Sequence, residues 1–439
     1  MNDEPLPNSL RQVIVFFQVH QPRRLRSFVT APAGEKSVYF DDQLNESIMK
    51  RVTRECYEPA NAMLVELTTA DPEIRVNFSI SGEALDQMEK YTPSVLETFK
   101  TLTKTGAVEM LAQPNYHSLC GLLSSEELHE QIVVHMEKVR QHFDVSPTVF
   151  CNSELIYNDD IGSVVGHMGF KGIICDGAER IISAAQRDRL HSHPNYPVKI
   201  LLRNDTISDR IASRFGAGES KLTVDNVLTT IDSLPPDSNL VILGLDYELL
   251  GEQFNKEAGI INFIHDLLIA FSKEARFKLR TASEVVIVES ETNSLSVPDT
   301  ISWSANAKDI SSWLGNDMQM EAFEMLAAQQ ERIATLEDDA LVDVWRSLQT
   351  TDHFFYMASH KLGEDTHRSY FSQYPSPYEA FINYMQILKD FSSNLEGARL
   401  KDIENDHAKL LESERQHPKV PVWAMKKELQ TRLASETKP

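Results

Sequence analysis

Residues 12–22 read QVIVFFQVHQP, and their reading decides the fold. Between Gln12 and Val19 the run is apolar at both alternating sets of positions. A strand of this kind buries both faces, as strands do in parallel sheets covered by helices. A doubly wound dinucleotide fold would follow its first strand with a Gly-rich phosphate turn, but Val19-His20-Gln21-Pro22 stands in that place. The stretch therefore favours a closed or nearly closed barrel.

Working outward, six further short apolar runs share this character: RVNFSI from Arg75, AVEMLA from Ala107, TVFCNS from Thr148, GIICD from Gly172, VKILLR from Val198 and NLVILGLD from Asn239. Amphipathic segments separate them, among them SIMKRVTRECYEPANAMLVEL, EALDQMEKYTPSVLETFKTLTK, SEELHEQIVVHMEKVRQHF and GIINFIHDLLIAFSKEA. Each is long enough for a crossover helix, so the pattern predicts an α/β fold of seven β/α units. After about Glu289 the rhythm changes. SETNSLSVPDT reads as a connecting loop, and the remainder has helical spacing with no further strand alternation expected. MQMEAFEMLAAQQERIATLEDDALVDVWRSLQ reads as one long helix or a helix pair. The expected organisation is a barrel over 1–290 and a mostly helical C-terminal domain over 291–439.

The chain of 439 residues, 41% hydrophobic and 25% charged, has the composition of a globular protein. Its 65 acidic against 43 basic residues give a formal charge of −22, which repels a polyanion and argues against nucleic acid as a partner. Arg23-Arg24-Leu25-Arg26 is too short for a phosphate track and reads as a loop edge. The opening MNDEPLPNSLRQ lacks the features of a secretory signal, and Cys56, Cys120, Cys151 and Cys175 lack the spacing of a metal site or a disulfide framework. The reading is a cytoplasmic protein with reduced thiols. No apolar run approaches the ~18 residues of a membrane span, so no membrane association is expected. Oligomeric state cannot be read.

In β/α barrels chemistry sits where the strands end in the C-terminal direction, because those loops converge on one mouth. At or just past such ends lie Glu83, Glu154, Asp176, Asp205, Asp246 and Glu248, with His20 and His117. No nucleophile elbow, HExxH, P-loop or Ser-His-Asp spacing competes with them. Paired carboxyl groups suit cleavage of a glycosidic bond, one attacking or activating water and the other protonating the leaving oxygen. The same residue types could instead hold a divalent cation, and at this level both options stay open.

Five ordered segments narrow the choice: FFQVHQPRRL at Phe16, LAQPNYHSL at Leu111, VFCNSELIYND at Val149, LDYELLGE at Leu245 and ISWSANAKDISSWLGNDMQ at Ile301, followed by DHFFYM and YFSQYPSPYEAFINYM. With these the chain resembles glycoside hydrolase family 57, specifically its α-amylase-like group, over nearly its whole length. The resemblance implies a retaining hydrolase of α-1,4-glucans or maltooligosaccharides, with a barrel of seven β/α units and a helical region closing over the substrate. It implies Glu154 as nucleophile and Asp246 as general acid/base. The substrate-binding candidates it supplies are His20, Tyr116, His117, Tyr247, Trp303, Asp309 and Trp313, with Trp303 expected at the sugar and Trp313 in packing. Tyr247 and Glu248 are expected to support Asp246. No cofactor or metal is required by this chemistry.

The chain departs from the family pattern in several places. Ser304-Ala305-Asn306-Ala307-Lys308 replaces a commonly acidic stretch. Leu249-Leu250 and Gln253 stand where Thr-Phe and His are common, and Cys151 where Arg is. Transglycosylation through the same intermediate, a feebly active glucan-binding homologue, and a metal-dependent deacetylase or mannosidase on a related barrel are the competing readings.

Overall fold

The computed structural model describes residues 10–29, 38–215, 222–288, 292–304, 307–336, 338–359 and 372–416. Ten strands occur among them: β1 (Arg11–Val19), β2 (Val76–Ile80), β3 (Val108–Met110), β4 (Val149–Cys151), β5 (Gly172–Asp176), β6 (Leu190–Ser192), β7 (Lys199–Arg203), β8 (Leu240–Asp246), β9 (Phe277–Leu279) and β10 (Asn293–Ser294). All seven expected strands form, as β1 to β5, β7 and β8. Parallel pairing runs β3-β2-β1-β8 in one sheet and β4-β5-β7 in the other.

Backbone hydrogen bonds join the two sheets at both seams. Between β3 and β4, Ala112 N donates to Val149 O at 2.9 Å and Cys151 N to Ala112 O at 2.8 Å. Between β7 and β8, Asn204 N donates to Ile242 O at 2.8 Å. The circuit β1-β2-β3-β4-β5-β7-β8 thus returns to β1, and the fold is a (β/α)7 barrel followed by a mostly helical C-terminal part.

Alternate strand residues point inward or outward, as a pleat requires. Ile14 and Phe16 of β1, Val149 and Cys151 of β4, and Leu240 and Ile242 of β8 meet in the barrel interior. Val13, Val15 and Phe17 of β1 face outward, onto helices that include Leu64, Phe99 and Leu267. Both sets are buried, which is why the strands read as continuous apolar runs. Helix 282–288 plugs the lower end, with Val285 and Val286 in the interior cluster and Ala282 N donating to Asn77 Oδ1 at 2.9 Å.

Three strands were not expected from the sequence. β6 pairs antiparallel with β7, β9 joins the start of β1, and β10 pairs with β6, correcting the expectation of no strand after Glu289. Unlike the equally short β3 and β4, they lie among polar residues and in no apolar run that would mark them. Local punctuation also divides two of the helical segments, one read as continuous and one as a long helix or a helix pair. Pro93 opens a new helix at Thr92, dividing Gly82–Tyr91 from Pro93–Lys104. The long stretch after residue 317 breaks into Asp317–Ala327, Gln330–Ile333 and Asp339–Ser347, the last capped by the Asp338 carboxylate.

The expected boundary at 290/291 lies outside the described residues. The helical part beyond it shares one apolar cluster with the barrel: Trp313, Trp345, Phe354 and Tyr384 pack with Phe150 of β4 and Leu202 of β7. Full burial of such a side chain contributes roughly 1.5–3 kcal/mol. This packing fixes Thr351–Phe355 against the mouth of the barrel.

Candidate active site

The upper rims of β1, β3, β4 and β8 bring together a pocket that opens to solvent. Glu154 and Asp246 both line it, with His20, His117, Glu248 and Asp352. Gln18, Arg24 and Gln253 contribute as well.

Glu154 follows β4 in a tight turn, Ser153–Leu155, opened by the Asn152 side chain accepting from Ser153 N. Its φ of 55° and that of Leu155, 50°, lie in the left-handed region, which costs a residue bearing a Cβ of order 1–3 kcal/mol. The turn holds the buried carboxylate on both oxygens. Trp303 Nε1–H donates to Oε2 at 2.7 Å, and Trp303 N donates to the Glu154 carbonyl at 3.1 Å. Thr351 Oγ1 stands 3.3 Å from Oε1, and His117 Nε2 3.2 Å from the same oxygen. His117, itself at a φ of 48°, is 1% exposed and is fixed further by Gln18 at 2.9 Å and Gln113 at 3.1 Å.

Asp246 ends β8, in register with Gln18 of β1, and is half-buried. Two residues on, Glu248 is buried. Burial first, and then the Asp246 charge, push its carboxyl up to about 8, opposed by hydrogen bonds from Tyr57 and from the His20 backbone. Tyr57 reaches Glu248 because the first crossover helix contains a π turn at Thr53–Tyr57, just before Pro59. The loop after β8 closes on that turn at Gly251, whose φ is 140°. A Cβ there would lie 2.0 Å from the Glu55 carbonyl oxygen, so only glycine fits.

His20 ends β1. Burial and the neighbouring His117 lower its pKa to about 4, against the opposing pull of Asp352 and Glu154, so the ring is neutral at pH 7. Its Nε2–H donates to Asp352 Oδ2 at 3.1 Å, which leaves Nδ1 to accept from Ser81 Oγ at 2.8 Å. Ser81 Oγ in turn caps helix 82–91 by accepting from Ala84 N. The His20 ring stacks on that of His117 at 4.1 Å. Asp352 comes from helix Thr351–Phe355, so this bond links the barrel to the helical part.

The other candidates occupy different places. Tyr116 donates to Asp343 Oδ1 at 3.0 Å and does not line the pocket. Tyr247 points away from it, fully buried among Phe17, Tyr57, Phe78 and Phe99, with its hydroxyl donating to Asn61 Oδ1 at 2.6 Å. Its expected contact with substrate is therefore corrected: Tyr247 opens the 3-10 turn Tyr247–Leu249 that follows β8, and its ring lies in the apolar shell while Asp246 and Glu248 line the pocket. Trp313, named among the binding candidates but expected in packing, is 1% exposed within the cluster between helical part and barrel and packs there. Asp309 folds its own loop, accepting from Ser311 N at 2.9 Å through Oδ1 and from Ser302 Oγ through its carbonyl. Trp303 is 8% exposed and gives Glu154 its indole N–H.

The family description "Glycosyl hydrolase family 57" matches residues 14–298. A protein of Methanocaldococcus jannaschii named "Putative alpha-amylase" is 34% identical over 392 residues, covering 85% of this chain and 83% of that one. The chain belongs to glycosyl hydrolase family 57. It is a glycoside hydrolase. Two solved structures share the fold. The family 57 branching enzyme of Pyrococcus horikoshii superposes with a TM-score of 0.64 at 13% identity, over 88% of this chain and 90% of that one. The 4-alpha-glucanotransferase of Thermococcus litoralis gives 0.60 at 14% identity, over 79% of this chain but only 56% of that longer one.

Set against the family motifs, the departures fall in separate environments. Cys151 and Leu249-Leu250 are core residues, whereas Gln253 lines the pocket. Ala305 and Asn306 lie outside the described residues. Sequence reasoning passed over Asp352 and Arg24 as site residues. Asp352 opens DHFFYM, whose place in the order of motifs was the only available signal. Arg24 looked like surface charge but is 1% exposed, bonded to Gln21 Oε1 and Pro22 O. Among the described residues no group of three or more His, Cys, Asp or Glu is disposed to hold a metal ion.

Proposed function

We propose that this family 57 hydrolase cleaves internal α-1,4 bonds of glucans and maltooligosaccharides with retention of configuration. Glu154 attacks the anomeric carbon while Asp246 protonates the departing glycosidic oxygen. A glycosyl ester on Glu154 forms, carrying the non-reducing part of the chain, and the reducing part leaves with the proton from Asp246. Asp246, now ionised, removes a proton from water, which attacks the same carbon and releases Glu154. Two inversions at that carbon give net retention, and such enzymes hold their carboxyl groups about 5–5.5 Å apart.

The observation that carries this reading is that Glu154 and Asp246 line one pocket, although 92 positions separate them in sequence. Each oxygen of Glu154 faces a donor group, which favours the ionised nucleophile. Asp246 has the buried Glu248 beside it, and its partly open position leaves room for a leaving group or a water. Neutral His20 lines the pocket wall with its ring nitrogens held by Asp352 and Ser81, so a sugar hydroxyl that bonds to it displaces one of these partners. Four buried free thiols support a cytoplasmic setting.

Transfer of the glycosyl chain to a second sugar uses the same intermediate, and the named activity of the Thermococcus litoralis relative keeps that outcome in view. Trapping with a 2-deoxy-2-fluoroglucosyl donor, followed by peptide mapping, tests the attacking residue; a label anywhere but Glu154 rejects the assignment. Incubation with maltoheptaose separates the outcomes, since products longer than the substrate require transfer.

A further inference from the structure

Behind Trp303 lies a cluster of charges that the reaction does not use. Asp176 ends β5, Arg203 ends β7, Asp209 lies on the helix after β7, and Lys308 follows the Trp303 segment. They form an alternating ring. Arg203 Nη1 donates to Asp176 Oδ1 at 2.9 Å and Nη2 to Asp209 Oδ1 at 2.5 Å. Lys308 Nζ donates to Asp209 Oδ2 at 2.7 Å and stands 3.3 Å from Asp176 Oδ2. Each carboxylate thus gives one oxygen to each cation, and the two charges of each sign cancel. Asp176 is fully buried and Arg203 is 3% exposed, conditions under which unpaired ions are costly.

The ring touches the site at one point. The Arg203 guanidinium lies 5.3 Å from the centre of the Trp303 ring, and Arg203 Nε is anchored on the Gly244 carbonyl at 3.0 Å. Gly244 has no side chain to obstruct this; a Cβ there would be 2.3 Å from Phe16 and 3.0 Å from Arg203. Lys308 is tied to the same segment through its backbone, since Ser302 N donates to Lys308 O at 3.2 Å. Its φ of 52° is unfavourable for a lysine and is held only where the surroundings compensate.

We propose that Lys308 is a positioning residue for Glu154, acting through Trp303: its ammonium closes the charge ring that fixes the Trp303 indole and so the N–H donated to Glu154. This rests on the reading of Glu154 as the attacking group. Removing the ammonium leaves two carboxylates sharing one cation. Arg203 then redistributes towards them, and the indole loses both its charged face and the anchor of its segment. The other groups facing Glu154 stay as they are: His117 after β3, Thr351 and Asp352 from the helical part, and His20, Asp246 and Glu248 across the pocket. A carboxylate with one donor fewer is ionised less readily.

The test is the indole N–H spectrum of the full-length protein labelled with ¹⁵N-tryptophan, recorded between pH 4 and 8. Four tryptophans give four signals, and Trp303→Phe assigns one of them. In the parent the Trp303 signal lies downfield and follows the ionisation of Glu154. In Lys308→Met it moves upfield and its midpoint rises by on the order of one pH unit. Turnover of maltooligosaccharide falls about tenfold in kcat with KM nearly unchanged. Lys308→Arg restores the parent signal. Asp209→Asn, which removes one half-exposed member of the ring, shifts it in the same direction by less, and gives the reading should Lys308→Met not fold. An unchanged Trp303 signal in the folded variants, or a loss in Lys308→Arg as large as in Lys308→Met, overturns the proposal. A parent without activity on any α-glucan rejects the functional reading instead, and leaves the spectrum to decide the role of Lys308.

Discussion

The indole Nε1–H of Trp303 donates to Oε2 of Glu154 at 2.7 Å, while the Trp303 backbone N–H donates to the carbonyl of the same residue at 3.1 Å. One residue of the segment beyond the barrel thus grips the candidate nucleophile at both ends. The carboxylate sits on a left-handed turn, where few alternative backbone states are open to it.

Replacing Trp303 by Phe keeps the ring and removes the donor. Hydrogen bonds to charged groups contribute about 1.5–3 kcal/mol, so kcat/KM should fall roughly 10–100-fold. The acid limb of the pH–rate profile should move to higher pH, because the ionised carboxylate has lost a partner. A profile unmoved on that limb would show that the bond does not serve the ionised form.

Asp246→Asn should lower the rate on glucan by about 10²–10⁴-fold, the usual range for loss of a general acid. The loss should be much smaller for the first step with α-glucosyl fluoride, whose leaving group needs no proton. Equal losses on both substrates would move the acid role elsewhere in the pocket, with Glu248 the first residue to examine.

Tyr247 stands next to Asp246 in sequence yet belongs to the core. Tyr247→Phe should therefore act on stability, by about 1–3 kcal/mol, since it leaves buried Asn61 without its donor. KM for maltooligosaccharide should stay close to the parent value. A large rise in KM without a change in urea midpoint would return Tyr247 to the substrate.

Buried titrating groups make stability depend on pH in two windows. His20, His135 and His353 have folded values lowered from 6.5 to about 4, each chiefly by burial. Between those values the unfolded chain binds more protons, so stability rises with pH there and is lost on acidification towards 4. Glu248 behaves oppositely. Raised from 4.5 to about 8, it leaves the folded state binding more protons, so its contribution is present below about 4.5 and declines as pH rises to about 8. Urea midpoints across pH 4–9 check both. His135→Gln should flatten the acidic slope, and Glu248→Gln should flatten the alkaline decline; variants with the parent's slopes would contradict the assignment.

The sequence by itself determined the seven strands and the barrel, because strands buried on both faces leave unbroken apolar runs such as VIVFF at Val13 and LVILGL at Leu240. It also determined the short list of acids, since the strand ends are where those runs stop, and its ordered motifs selected Glu154 and Asp246 from that list. β6, β9 and β10 stayed invisible, because they lie among polar residues in no apolar run and their pairing is dictated by neighbours.

Only the tertiary structure decided what each site residue touches. Asp246, Tyr247 and Glu248 are consecutive, yet two line the pocket and one lies in the core. The aromatic residues of the fifth motif divide in the same way, Trp303 onto Glu154 and Trp313 into packing. Arg24 looked exposed and is buried, and Asp352 reaches His20 across 332 positions. Periodicity encodes which face of an element is apolar. The partner that a polar atom meets is set by which distant elements the folded chain stacks beside it, and no local pattern carries that information.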